Sequence, residues 1–84
     1  MRTFVVKFTD IYQKEFTGRI KVLGTVFAEV PVSGFFLRRR QNEIIEKVWT
    51  EVCQQYRVVG YKSVSIEERR LTRDEYNSGK VSYR

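Results

Sequence analysis

The chain has 84 residues, a formal net charge of +6 and a pI near 9.8, with 42% hydrophobic and 31% charged residues. That length is one domain, and a domain this size buries only about 60–65% of the surface its unfolded chain exposes, so a deep substrate pocket would compete with the core for apolar side chains. The composition is globular rather than disordered, the lack of histidine removes the commonest general base and metal ligand, and a single cysteine, Cys53, rules out an intrachain disulfide.

The N-terminal Met1-Arg2-Thr3-Phe4-Val5-Val6-Lys7 carries an apolar run too short for a signal peptide. No segment reaches the length of a membrane span. A small domain without disulfides is expected in a reducing, cytoplasmic setting.

Residues Thr3 to Thr9 alternate, with Phe4, Val6 and Phe8 on one face. Period two predicts a half-buried strand. Asp10 to Lys14 is expected to be a turn or irregular link. Glu15 to Val22 alternates again, with Phe16, Ile20 and Val22 sharing a face with Gly18, and is expected to be a second strand with a bulge at the glycine. Leu23-Gly24 is expected to be a tight turn. Thr25 to Val32 predicts a third strand with Val26, Ala28, Val30 and Val32 on one face, and Pro31 places its end at a sheet edge or strand terminus.

After Ser33-Gly34 the period changes. Ile44, Ile45, Val48, Trp49, Val52, Cys53 and Tyr56 fall on one stripe at about 100° per residue, which predicts an amphipathic helix. Glu43, Glu46, Lys47, Thr50, Glu51 and Gln54 form its solvated face. Tyr61 to Glu67 predicts a fourth strand. Beyond it, Thr72-Arg73-Asp74-Glu75 has the pattern of a capping box and predicts a short helix ending near Gly79.

The expected order is β-β-β-α-β. It makes an α+β two-layer sandwich with a mostly antiparallel sheet of about four strands over residues 1–68, and a polar tail over 69–84. The expected core is Phe4, Phe8, Phe16, Ile20, Val22, Ile44, Val48, Trp49, Val52, Val64 and Ile66.

The charge is uneven. Residues 1–42 hold eight basic and three acidic side chains, a net +5, and residues 43–84 hold eight and seven, a net +1. The densest point is Arg38-Arg39-Arg40. Guanidinium forks suit phosphate, and three of them beside a helix start oppose the macrodipole, which favours an external anion. The competing reading is a solvated basic turn, or local pairing of Arg39 and Arg40 with Glu43 and Glu46. Lys7, Lys14, Arg19 and Lys21 are expected to alternate outward as a basic stripe on the open sheet face, among Val5 and Phe27. Phe35, Phe36 and Leu37 either close the end of the core or form a hydrophobic anchor for a partner. Arg69, Arg70 and Arg73 interleave with acids and read as a salt-bridged tail.

No catalytic set emerges. Asp10, Glu15 and Glu29 match no defensible acid spacing, and Cys53 lacks a histidine to activate it. The expectation is a non-enzymatic binding module without cofactor, metal or small-molecule substrate. It contacts nucleic acid or a nucleoprotein complex through Arg38, Arg39, Arg40, Lys7, Arg19 and Lys21. The alternative is a protein-interaction module, such as a small inhibitor or adaptor of viral type, anchored by Phe35, Phe36 and Leu37 on an acidic surface of its partner. A homodimer is compatible with either.

Overall fold

The computed structural model describes residues 2–32, 40–78 and 80–83. It is an α+β fold with an antiparallel three-stranded sheet and a packed helix. The elements are β1 (Arg2–Lys14), β2 (Ile20–Val32), α1 (Arg40–Tyr56), β3 (Ser63–Glu68), α2 (Arg73–Ser78) and β4 (Lys80–Tyr83). The strand order is β3-β1-β2-β4, with β1 antiparallel to both β2 and β3, and β4 parallel to β2.

Among the described residues two strands, not three, precede α1. The hairpin β1–β2 runs in register from Arg2 opposite Val32 to Lys14 opposite Ile20. The expected link at Asp10–Lys14 is strand, and the expected strand at Glu15–Val22 contains the hairpin turn. Glu15 accepts a hydrogen bond from the Gly18 amide (2.9 Å) and donates its own to Arg19 O (2.7 Å), leaving Phe16, Thr17 and Gly18 as a three-residue loop. Gly18 takes a φ of 91°, the left-handed residue that such a loop needs to match the twist of its strands. Leu23-Gly24 is not a turn. Gly24, at φ 106°, lies within β2 opposite Ile11.

Two irregularities explain the misread period. Phe8 pairs with Val26 and Ile11 with Gly24, so β1 carries an extra residue there, and Asp10 takes a φ of 53°. Tyr12 then pairs with Val22, so β2 carries the extra residue Leu23. Each bulge inverts the alternation of its own strand. Phe8 and Ile11 therefore face the same side although they are three apart, and both are fully buried.

The main core lies between that sheet face and α1. Phe4, Val6, Phe8, Ile11, Val26, Ala28, Val30 and Val32 pack with Ile44, Val48, Val52 and Val58. Of the expected core, Phe4, Phe8, Ile44, Val48 and Val52 are buried, while Trp49, Val64 and Ile66 pack against the cluster partly exposed. Phe8, Trp49 and Tyr61 form an aromatic triangle, with centroids 5.1 Å (Phe8–Trp49), 5.0 Å (Phe8–Tyr61) and 4.7 Å (Trp49–Tyr61) apart, joining β1, α1 and the approach to β3. Phe16, Ile20 and Val22 are not core, because Phe16 lies in the turn and the register after the bulges sets Ile20 and Val22 on the face away from α1. Their exposures are 108%, 65% and 59%.

The segment after β3 is not a free tail. It leads from the β3 edge to β4 on the far side of β2, so it crosses the second sheet face. Leu71 donates its amide to the Glu29 carboxylate (2.9 Å), and Glu29 pairs with Val5, which fixes the face crossed. Val5 and Phe27 are buried on that face, apart from the main core. Arg69 bonds Glu67 (2.6 Å) and Glu75 (2.5 and 2.8 Å), and Thr72 and Glu75 form the expected reciprocal cap, each amide bonded to the other's side chain (3.1 Å).

Candidate functional site

The hairpin continues beyond the body as an arm. Residues 14–22 are all exposed, whereas Ile11 and Val26 at its base are buried. A 13-residue strand measures about 43 Å at 3.3 Å per residue, and the molecule's longest dimension is 45 Å. The arm is held at its base. Tyr12 donates its amide to Gly60 O and accepts one from Val59 (both 2.9 Å), and the Gln13 side-chain amide donates to Tyr56 O at the end of α1. Tyr12 lies so close over Gly60 that a Cβ there would collide with its ring.

Cross-strand partners share a face, so the register assigns the arm's side chains. Tyr12 and Val22 lie on one face together with Lys14 and Ile20. Gln13 and Lys21 lie on the other, the face of α1, as does Arg19 across from Glu15. Phe16 stands at the apex. The arm thus has two cations on one face, one cation among apolar side chains on the other, and a fully exposed ring at its tip. Glu15 is its one acid, and Val59, 60% exposed, sits at its root.

The sequence-predicted residues separate into three places. Arg19 and Lys21 stand on the arm. Lys7 lies in the middle of β1 on the second face, opposite Phe27, with its ammonium 5.8 Å from that ring's centroid. The two bulges put Lys7 and Lys21 on opposite faces, so the expected single basic stripe does not form. Arg40 opens α1, half-buried. Arg38, Arg39, Phe35, Phe36 and Leu37 lie outside the described residues.

Periodicity missed Phe16, Ile20 and Val22 as surface residues. The signal that could have found them is Thr17-Gly18 centred in a run whose alternation continues on both sides, which fits a hairpin turn as well as a strand bulge.

Asp10, Glu15 and Glu29 are spread over the bulge, the arm tip and the Leu71 contact, and among the described residues no three metal-ligating groups converge. Burial pushes the Cys53 thiol up, away from the reactive thiolate. Among the described residues no helix is long and apolar enough to cross a membrane. Compared with known proteins, the chain matches no family model, no curated protein and no solved structure.

Proposed function

We propose that this chain is a small non-enzymatic binding module, a two-layer α+β scaffold that contacts nucleic acid or a nucleoprotein complex through a basic surface. The single observation that supports the reading most is the projecting arm, where Lys14, Arg19 and Lys21 stand clear of the body against one acid, Glu15. Within the body the pairings seen are different. Arg2 is paired with Glu68 (2.6 Å), and Arg69 is clasped by Glu67 and Glu75. Cations that leave the body on a thin ribbon add little to folding and a great deal to the attraction of a polyanion. The net charge of +6 supplies the long-range part of that attraction. Arg38, Arg39 and Arg40 are a second basic group for the same partner, and Lys7 contributes from the sheet.

The test is binding of duplex and single-stranded nucleic acid across a salt series. Affinity should fall steeply between about 50 and 200 mM salt as phosphate counterions are released. Changing Lys14, Arg19 and Lys21 together to Gln should weaken binding and flatten the log–log salt slope by about 2 to 3. An unchanged slope would remove the arm from the reading.

A second reading is favoured by the same arm's apolar side chains. Ile20 and Val22 share a face and are more than half exposed. On an interaction module they would seat on a partner protein with an acidic surface, steered by the neighbouring cations. Capture from nuclease-treated lysate separates the two readings, because a nucleic-acid-bridged complex is lost and a direct protein complex is kept.

A further inference from the structure

Phe16 has no folding role, and its placement is specific. It is the first residue of the three-residue loop, at the point of the arm farthest from the core, with its whole surface in water. A fully exposed aromatic ring contributes nothing to burial, and its burial against a partner would contribute a great deal. The register sets cations on both faces of the ribbon behind it, Lys14 on one and Arg19 and Lys21 on the other.

A ribbon that lies flat on a charged surface needs cations on one face. A ribbon that enters a groove meets phosphate on both sides, and its tip meets the base pairs at the groove floor. Apolar side chains inserted from such a position part a base step and kink the duplex. Ile20 and Val22, beside Lys14, would run along the apolar sugar edges of one groove wall.

We infer that Phe16 is a wedge that enters the minor groove of duplex DNA at the tip of the arm, parts one base step, and bends the duplex while Lys14, Arg19 and Lys21 hold the flanking phosphates. The inference rests on the nucleic-acid reading above and names its substrate class. Charge and turn chemistry favour DNA over the other surface an apolar tip can enter, an anionic lipid bilayer. The Phe16 and Thr17 amides lie at the apex of the loop, outside the ladder, and burying them in hydrocarbon leaves them without acceptors. A groove floor offers acceptors to both.

The experiment uses the full chain and a 5′,5′-dye-labelled duplex of about 30 base pairs with a central TA step, which is readily unstacked. Wild type should draw the dyes together by a bend in the range of about 20–90°. Phe16→Ala should keep the salt slope, since the ring carries no phosphate contact, should bind within about threefold of wild type, since the ring's burial is offset by the cost of parting the step, and should leave the duplex straight. In a Trp49→Phe background, the indole of Phe16→Trp should be quenched by the duplex and unaffected by vesicles of equal parts anionic and zwitterionic lipid. Binding without a bend, or a bend that survives Phe16→Ala, overturns the wedge while leaving the nucleic-acid reading in place. A blue shift of that indole's emission with vesicles alone, or no binding to any nucleic acid, overturns both. Phe16 is fully exposed, so its variants should fold, which circular dichroism checks.

Discussion

A left-handed backbone costs an L-residue about 1–2 kcal/mol, and among the described residues two non-glycines adopt one, Asp10 at φ 53° and Arg57 at φ 54°. Asp tolerates the conformation better than most side chains, and its place in the bulge gives it a purpose. Arg57 has less excuse. It ends α1, its amide bonded back to Cys53 O (2.9 Å), in the position that helices usually give to glycine. Arg57→Gly should therefore stabilise the fold by about 0.5 to 1 kcal/mol, the relief of strain being partly offset by the greater freedom glycine gives the unfolded chain. Urea denaturation reads this directly, and a midpoint that drops would mean the arginine side chain holds something the backbone geometry does not reveal. Gly18 predicts the opposite sign. A Cβ there meets no neighbouring atom, yet φ is 91°. Gly18→Ala should cost about 1 kcal/mol through backbone conformation alone.

At the scale of elements, the helix was the easiest to read and the hairpin the hardest. The stripe from Ile44 to Tyr56 keeps a helical period with no interruption, and every residue in it packs against the core or lies within it. The β1–β2 ribbon instead changes parity twice. Reading straight through it placed Phe16, Ile20 and Val22 in the core, because alternation says which residues share a face and nothing about whether that face is covered. A bulge needs one unpaired residue, and nothing in the side chains of Asp10 or Leu23 marks them as that residue until the partner strand is known. The candidate site was legible to the same extent. Arg19 and Lys21 stood out as basic residues in an alternating run, but their projection from the body depends on where the turn falls. The difference is measurable. Truncating Ile20 and Val22 to Ala should leave stability within about 0.5 kcal/mol, as for other exposed sites. Phe8→Ala should cost about 3–5 kcal/mol, because Phe8 is fully buried and is the β1 corner of the aromatic triangle. Equal losses at the two places would return the arm to the core.

At the scale of the whole molecule, the sheet is closed on both faces by crossings of different strength. The β2–α1–β3 crossing lays a helix with a continuous apolar stripe on one face. The 69–78 crossing lays a largely polar segment on the other, over Val5 and Phe27, and polar contacts help to hold it there. Arg69 gathers Glu67 and Glu75, the cap ties Thr72 to Glu75, and Leu71 reaches Glu29. Glu75 is the common member. The Arg69 guanidinium, first, and the Thr72 amide hold its carboxyl down to about 2 from an ordinary 4.5. A carboxyl depressed in the folded state stabilises the fold fully above its unfolded pKa, and the contribution is lost as pH falls through the folded one. The clasp should therefore be intact at neutral pH and weaken progressively from about 4.5 down to about 2. Glu68, lowered in the same direction by its bond to Arg2, adds to the slope from the β3 edge. Glu75→Gln isolates the clasp. It should lower the urea midpoint at pH 7 and reduce the fall in midpoint between pH 4.5 and pH 2 relative to wild type. Amide protection at Leu71, Thr72 and Tyr76, taken relative to the unstructured-chain exchange rate at each pH, should fall over the same interval while protection at Val6 and Phe8 is kept, because the crossing can lift from the second face before the α1 core opens. Protection lost at all five amides together would show instead that both faces open as one cooperative unit.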